Sequence, residues 1–328
     1  MAVFFGRGCV LLQLVPFAIL AADTPAERRE APAFRSNSEM ILVNATVVDR
    51  SERFVTDLKR EDFRVFQDGH EQNIDTLWLE ETPVSAGIVL DVSGSMKEAL
   101  PLAKQAAKEF IGRSNPKDEF FVVTVGRRPT ALLMFEARTG EVVKVVNDQQ
   151  SGGSTALLDS IYLACNYLRR SRNARKALLV LSDGEDNNSR YSKRELVRML
   201  EESNLTLYAL GVGVRHPPRD DPDSAENLLI TLSDSTGGRY FEVTSERDLQ
   251  DALKGINIRY QYMLDYKATG IQNDGKYHKI SLKLSGQARG RKLKLYYRPG
   301  YYAPEGPVGI LGVGRHPRRT PVLSGPTG

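Results

Sequence analysis

The stretch Ala86-Gly87-Ile88-Val89-Leu90-Asp91-Val92-Ser93-Gly94-Ser95 contains an apolar run followed by one carboxylate and two hydroxyls. The apolar run predicts a buried strand. Because alternate residues past a strand end can converge on one point, Asp91, Ser93 and Ser95 are expected to face the same space. Hard oxygen ligands of this kind suit Mg²⁺, Mn²⁺ or Ca²⁺. On its own the pentapeptide is equally compatible with a turn, since Ser and Asp favour turns and helix starts.

From this strand onward, apolar β patterns alternate with helical patterns up to about residue 257. Such alternation predicts an α/β fold, with a doubly wound and mostly parallel sheet that is covered by helices on both faces. The predicted strands are 88–91, 120–125, 131–135, 177–183, 205–211 and 240–243. The predicted helices are 100–111, 156–169, 193–200, 225–233 and 248–256.

Two further segments place oxygen ligands near the end of a predicted strand. Asp183 ends the strand 177–183 and is followed by Gly184. The loop Ser151-Gly152-Gly153-Ser154-Thr155 leads into a predicted helix, so that the Thr155 hydroxyl can point towards the strand ends. In an open parallel sheet, ligands bind beyond the carboxyl ends of the strands. If the two strands are neighbours, Asp91 and Asp183 face one crevice.

Together, three motifs resemble those of the von Willebrand factor A domain. They are Asp-x-Ser-x-Ser at 91–95, Gly-Gly-Ser-Thr-Ala-Leu at 152–157 and Leu-Ser-Asp-Gly-Glu-Asp at 181–186. The resemblance covers residues 83–257, and the motifs correspond to the metal-ion-dependent adhesion site of that family. More loosely, the flanks at 61–69 and 298–302 resemble those of bacterial secreted proteins that carry this domain.

The resemblance implies a role for five residues. Ser93, Ser95 and Thr155 offer hydroxyl oxygens to a divalent cation, and Asp91 and Asp183 bind it directly or through water. The implied cofactor is Mg²⁺, with Mn²⁺ or Ca²⁺ as alternatives. The implied function is that of a non-enzymatic, cation-dependent protein-binding or adhesion module, whose ion engages an acidic residue of a partner protein.

Both flanks of the α/β unit have β patterns. Ile41, Val43, Ala45 and Val47 alternate with their neighbours in the segment 39–82, and alternation returns in the segment 258–302. Because neither segment is large enough for a core, we expect them to pair into one small β-sandwich with the α/β unit inserted between them. Residues 303–328 contain five prolines and six glycines without periodicity, which predicts a disordered tail.

Residues 1–22 have the pattern of a secretory signal peptide, namely an arginine, a short apolar core and small residues at its end. They predict a secreted, periplasmic or cell-surface location, with no stable membrane span after cleavage. Residues 23–38 are predicted to be a linker. Cleavage would leave one cysteine, Cys165, on an apolar helical face, so that we expect a buried thiol and no intramolecular disulfide.

Other functions were weighed against the binding module. The main alternative is a structural or assembly module of the cell envelope, in which the metal only stabilises the fold. A hydrolase would use Ser93 or Ser95 as its nucleophile, but the Gly-x-Ser-x-Gly motif is absent and no suitable histidine follows a predicted strand. A phosphoryl-transfer enzyme is disfavoured because the sequence contains no glycine-rich phosphate-binding loop. The net charge of +4 is spread along the chain without a basic, aromatic stripe, which disfavours nucleic-acid binding.

Three acidic residues near the motifs have no assigned ligand role. Glu185 and Asp186 are interpreted as charges at the rim of the site. Asp159, one helical turn after Thr155, is a candidate for holding a metal-bound water or the serine-rich loop. No catalytic residue and no organic cofactor are predicted.

Overall fold

The computed structural model describes residues 39–136, 138–214, 221, 224–256, 258–268 and 274–305. The predicted signal peptide (1–22), the predicted linker (23–38) and residues 306–328 of the predicted tail lie outside the described residues. Among the described residues, no helix is both long and apolar enough to cross a bilayer.

A six-stranded sheet forms the centre of the α/β unit, with strand order β10-β9-β8-β5-β6-β7. All neighbouring strands pair in parallel except β6 and the edge strand β7. The strands are β5 (Val84–Asp91), β6 (Glu119–Val125), β7 (Thr130–Glu136), β8 (Arg175–Ser182), β9 (Thr206–Val212) and β10 (Arg239–Val243). The predicted mostly parallel sheet is therefore confirmed.

Helices cover both faces of this sheet. They are α1 (Leu100–Gly112), α2 (Thr139–Asn147), α3 (Leu157–Arg169), α4 (Lys193–Glu202), α5 (Ala225–Asp234) and α6 (Glu246–Gly255). Alternate residues of β5 point to opposite cores: Ile88 and Leu90 pack with α1, α2 and α6, whereas Val89 packs with α3, α4 and α5. Since every residue of β5 is buried, its uninterrupted apolar run is explained by burial on both faces. Cys165 is buried and unpaired, as the sequence predicts.

The two flanks build a β-sandwich from two antiparallel sheets, with strand orders β13-β1-β11-β4 and β14-β12-β2-β3. Each sheet combines strands from before and after the α/β unit, which confirms that the flanks pair with each other. The strands before the unit are β1 (Glu39–Val48), β2 (Phe63–Gln67), β3 (His70–Gln72) and β4 (Ile74–Glu80). Those after it are β11 (Gln261–Ala268), β12 (Tyr277–Leu284), β13 (Lys294–Tyr297) and β14 (Gly300–Tyr302).

Side-chain alternation explains the sandwich core. In β1, Ile41 and Val43 are buried, and Ile41 lies opposite Tyr266 and Val43 opposite Leu264 in β11. All four belong to the core between the two sheets. The Asp68-Gly69 turn between β2 and β3 has positive φ at both residues, which is the geometry of a tight hairpin.

Two local predictions differ from the structure. Helix α2 was not predicted, because it is short and the residue before it, Arg138, makes no side-chain cap that would mark a helix start. The strand β8 ends at Ser182, one residue earlier than predicted, so that Asp183 is the first residue of the loop.

The sandwich contacts the α/β unit around Arg239 of β10. Its guanidinium forms an ion pair with Glu52 at 2.7 Å and lies between the rings of Phe241 and Tyr296, 4.5 and 4.3 Å from their centroids. Lys294 of β13 contacts the other Glu52 oxygen at 2.8 Å. Because the Arg239 side chain is only 11% exposed, this ion pair is a shielded link between the two parts of the fold.

Gly237 provides the closest backbone approach at this junction. Its φ is +72°, and a Cβ placed on it would lie 2.4 Å from the carbonyl carbon of Tyr297. Any side chain would therefore combine left-handed backbone strain with a collision against a strand of the sandwich.

We predict that Gly237→Ala destabilises the protein by about 2–4 kcal/mol, the sum of left-handed strain and overpacking. The measurement is urea unfolding followed by circular dichroism. The matched control is Gly140→Ala in α2, where a Cβ would meet nothing within 4 Å. The control should change the free energy of unfolding by less than about 1 kcal/mol. Equal stability of the Gly237→Ala variant and the wild type would contradict this account of the junction.

Candidate metal centre

The pairing of β5 with β8 brings two acidic residues to the same edge of the sheet. The last paired residues are Leu90 and Leu181, and Asp91 and Ser182 are the next residue on each strand. Asp183 follows Ser182 directly. Asp91 is 0% exposed and Asp183 is 4% exposed. The two carboxyl groups are thus buried at the carboxyl ends of adjacent strands, as the sequence predicts if these strands are neighbours.

Both oxygens of Asp91 are held by hydrogen bonds. Oδ1 accepts the backbone N–H of Ser93 at 2.9 Å, and Oδ2 accepts the hydroxyl of Ser182 at 2.5 Å. The Oγ atoms of Ser93 and Ser95 lie 3.1 Å apart. Since Ser93 is buried and Ser95 is exposed, the group of oxygens opens to solvent on the Ser95 side.

The glycine-containing loop is attached to the first loop by two backbone hydrogen bonds. Gly152 N–H donates to the Val92 carbonyl at 2.7 Å, and Gly94 N–H donates to the Gly153 carbonyl at 3.0 Å. Gly153 has a φ of +86°, which explains why glycine stands there. The loop thus comes close to the Asp91–Ser95 segment before it reaches Thr155.

Thr155 is fixed from the side of the third motif. Its N–H donates to Oδ1 of Asn187 at 3.0 Å, and its carbonyl accepts the N–H groups of Asn187 and Asn188, both at 3.0 Å. Thr155 is 2% exposed and lies two residues before α3 begins. Backbone hydrogen bonds and the strand pairing therefore bring together the three segments that carry the five predicted residues.

The acidic residues around the site have structural partners that the sequence did not reveal. Asp186 is a half-buried helix cap and not merely a rim charge, because its Oδ1 accepts the N–H of Leu157 at 3.0 Å. Asp159 does not hold the serine-rich loop. Its Oδ1 instead accepts the N–H groups of Arg190 and Tyr191, at 2.9 and 3.1 Å.

Sequence reasoning did not identify Ser182. Its hydroxyl donates to Asp91 and accepts the N–H of Gly184 at 3.0 Å, so that it connects the first and third motifs. The only signal in the sequence is its position directly before Asp183. The contact itself depends on the register of β5 against β8, which the sequence does not encode locally.

The electrostatics of the site disfavour a charged Asp91 in the absence of a cation. Burial raises the pKa of Asp91 from 3.8 to about 6, and the negative charge of Asp183 adds to the shift. Hydrogen bonds from Ser182 and Ser93 oppose it. None of the main contributions to this pKa comes from a lysine or an arginine of the described residues.

The donor set is chemically specific. Two carboxylates and three hydroxyls are hard oxygen donors, which suit Mg²⁺, Mn²⁺ or Ca²⁺. Within the described part of the chain, no three His, Cys, Asp or Glu side chains form a cluster able to hold a metal. A cation at this edge of the sheet would therefore need hydroxyl oxygens in addition to the two carboxylates. The side chains of Ser93, Ser95 and Thr155 carry such oxygens.

Comparison with known families identifies the α/β unit. Residues 87–255, slightly more than half of the 328 residues, match the von Willebrand factor type A domain. The chain belongs to this family. This von Willebrand factor type A (VWA) protein is similar to an uncharacterized protein of Borreliella burgdorferi (strain ATCC 35210), with 23% identity over 198 residues. The match covers 52% of this chain and 57% of the relative, so that the chain spans little more than half of that protein.

The solved structures to which the chain is similar are distant in sequence. The conserved hypothetical protein BatB from Bacteroides thetaiotaomicron is 18% identical, with a TM-score of 0.43 and coverage of 52% of this chain and 95% of that chain. A von Willebrand factor type A protein from Catenulispora acidiphila is 15% identical, with a TM-score of 0.44 and coverage of 82% and 74%. Proximal thread matrix protein 1 from the mussel byssus, with a zinc-occupied metal-ion-dependent adhesion site, is 17% identical, with a TM-score of 0.44 and coverage of 58% and 49%.

We predict that Asp91→Asn stabilises the protein in metal-free buffer at pH 7. Because the folded-state pKa lies above the ordinary value, the ionised carboxylate is unfavourable in the folded state at this pH. Removing its charge should raise the free energy of unfolding by about 1–3 kcal/mol. Thermal unfolding with a chelator present provides the measurement. Asp148→Asn, at an exposed carboxylate, serves as the control and should change little. A clear loss of stability in Asp91→Asn would contradict this electrostatic account.

Proposed function

We propose that this VWA protein is a non-enzymatic binding module that uses a divalent cation to engage a carboxylate of a partner protein. The proposed ligands are Asp91, Ser93, Ser95, Thr155 and Asp183. The observation that carries the proposal is the burial of two carboxyl groups, those of Asp91 and Asp183, at the carboxyl ends of two adjacent strands and close to the serine hydroxyls. Mg²⁺ is the proposed ion, with Mn²⁺ or Ca²⁺ as alternatives.

The composition of the site supports an open coordination position. Mg²⁺ requires six oxygen ligands in near-octahedral geometry, whereas the proposed set supplies five side chains, of which three are neutral. The exposure of Ser95 supports an open position on the solvent side of the proposed site. A bound cation would supply an electrophilic centre there, and a carboxylate from a partner protein matches it in both charge and hardness.

The described histidines give no support to hydrolysis. His70 lies in β3 and His278 in β12, both in the sandwich, and His278 Nδ1 is 2.7 Å from Asp68. Ser93 contacts Ser95 and its own loop instead of a base. This arrangement favours a binding role over nucleophilic catalysis, which needs a base within hydrogen-bond reach of the nucleophile.

A structural module of the cell envelope is the second candidate. The backbone hydrogen bonds between the 91–95 and 151–155 segments favour it, because a cation held by both segments would also rigidify the fold. A secreted, periplasmic or cell-surface location remains a proposal that rests on the signal-peptide pattern of residues 1–22. Both candidates require the metal, and only the binding module requires a partner.

Calorimetric titration with Mg²⁺ or Mn²⁺ tests the proposed centre. We expect wild-type protein to bind one ion, and Asp91→Ala and Asp183→Ala to weaken the affinity by more than about 100-fold, because each removes a charged oxygen donor. Thr155→Ala should weaken it by about 10–100-fold. The control is Thr139→Ala, at an exposed residue of α2, which should bind the ion like the wild type.

If wild-type protein gives no heat with Mg²⁺, Mn²⁺ or Ca²⁺, the proposal is wrong. If it binds the ion but never a carboxylate-bearing partner, the structural module becomes the better explanation. Measurable turnover of an ester or phosphate substrate that is lost in Ser93→Ala would instead support an enzyme.

Ser182 offers a separate test, because it touches Asp91 without belonging to the proposed ligand set. We predict that Ser182→Ala weakens Mg²⁺ binding about tenfold, since its hydroxyl fixes one Asp91 oxygen. Ser203→Ala removes another buried hydroxyl, which donates to the Leu200 carbonyl at the end of α4, and should leave the Mg²⁺ affinity unchanged. Equal effects of the two variants would show that Ser182 acts through general stability alone.

A further inference from the structure

A groove of about 770 Å³ lies beside the candidate metal centre. One wall is the turn between β6 and β7, which contains Arg127 and Arg128. The second wall is α3, with Tyr162, and the third is the segment before α4, with Arg190 and Tyr191. None of these five residues belongs to the proposed metal ligands, and we call the cavity they line the arginine groove.

The arginine groove has an excess of positive charge. Arg127 and Arg128 are exposed, and no described carboxylate lies within 4 Å of either guanidinium. Among the described residues named as lining the groove, the acidic one is Asp159, which is 6% exposed. Arg190 Nε contacts it at 3.3 Å, and two backbone N–H groups bind its other oxygen. The acidic group is thus already neutralised, and the two turn arginines remain available for an anion.

An aromatic pair forms part of the wall. The rings of Tyr162 and Tyr191 stack with centroids 3.8 Å apart and planes inclined by 12°. Because the rings face each other, one face of each is already covered, so that the pair is a rigid wall and not a pair of open platforms for stacking nucleic-acid bases. Two aromatic rings with guanidinium groups nearby are typical of protein-binding surfaces.

The arginine groove is joined to the metal centre through Asn188. Its side-chain amide donates to the Arg127 carbonyl at 2.7 Å, and its backbone N–H donates to the Thr155 carbonyl at 3.0 Å. Ala156 N–H also donates to the Gly126 carbonyl at 2.9 Å. The groove therefore starts within a residue or two of a proposed metal ligand, and a single extended segment could contact both.

We propose that the arginine groove binds an acidic segment of the partner protein, adjacent in sequence to the residue whose carboxylate docks at the metal centre. The proposal rests on the proposed function and specifies its partner: a segment with at least two further carboxylates, paired with Arg127 and Arg128. The planar guanidinium group binds carboxylates through two parallel hydrogen bonds, which a lysine cannot reproduce. The volume of the groove lies within the range that is usual for ligand-binding clefts in proteins.

The test measures the binding of fluorescein-labelled octaglutamate to the full chain by fluorescence anisotropy, with saturating Mg²⁺ and with a chelator. Octaglutamine of the same length is the uncharged probe. The test variant is Arg127→Ala combined with Arg128→Ala. The control variant is Arg169→Ala combined with Arg170→Ala, which removes two exposed arginines at the opposite end of α3. Calorimetry with Mg²⁺ is run on every variant.

We expect the test variant to bind octaglutamate at least about tenfold more weakly than wild type, while its Mg²⁺ affinity stays unchanged. The control variant should retain wild-type affinity for both, and octaglutamine should bind to none of them. Higher salt should reduce the difference between the variants, because exposed ion pairs are screened.

Each contrary result has a distinct meaning. Two results overturn the groove proposal when Mg²⁺ binding is normal: equal octaglutamate affinity of the test variant and wild type, or no octaglutamate binding by wild type. Both results leave the proposed metal centre unaffected. If wild type gives no heat with Mg²⁺, Mn²⁺ or Ca²⁺, the proposed function is refuted. Octaglutamate binding that still needs Arg127 and Arg128 then supports the groove alone. Duplex DNA that displaces octaglutamate and depends on the same arginines overturns the assignment to a protein segment.

Discussion

The parallel pairing of β5 with β8 is the constraint on which the site depends. It buries Asp91 and Asp183 side by side at one edge of the sheet and leaves the Ser182 hydroxyl against Asp91. Burial disfavours the charged form of Asp91 and raises its pKa to about 6, and the negative charge of Asp183 adds a smaller contribution. The fold therefore stores an electrostatic cost that a divalent ion would relieve.

The sandwich is held to this sheet by contacts that do not involve the carboxyl ends of β5 and β8. Arg239 extends from β10 to Glu52 and Tyr296 of the sandwich, and Gly237 allows the backbones to approach. These contacts lie at the start of β10, whereas the candidate metal centre lies beyond the ends of β5 and β8. The chain enters and leaves the α/β unit through the paired flanks. The sandwich can therefore support the unit while the edge of the sheet with the candidate metal centre stays accessible.

The sequence predicted the sheet and the three segments that carry the candidate metal ligands. It did not predict the hydrogen bonds that other side chains make to these segments. The apolar run before Asp91 and the glycines before Thr155 have local causes, namely burial and positive φ, and both are visible in the sequence. The roles of Ser182 and Asp159 depend on which segments become neighbours in the fold. Helix α2 has nine residues, fewer than any other described α-helix, and it also has no side-chain cap at its start, so that its sequence signal is weak.

The arginine groove could not be predicted from the sequence for the same reason, because it depends on which segments become neighbours in the fold. Arg128, Tyr162 and Arg190 lie far apart along the chain, and only the packing of a turn, a helix and a loop brings them together. Asp159 has a decisive part in this, because it anchors the 190–191 backbone and also neutralises Arg190. An acid that the sequence offered as a candidate near the metal site is thus also the group that shapes the neighbouring groove. Since Asn188 ties that groove to Thr155, a segment bound in the groove and a carboxylate at the metal centre would be positioned by one continuous set of hydrogen bonds.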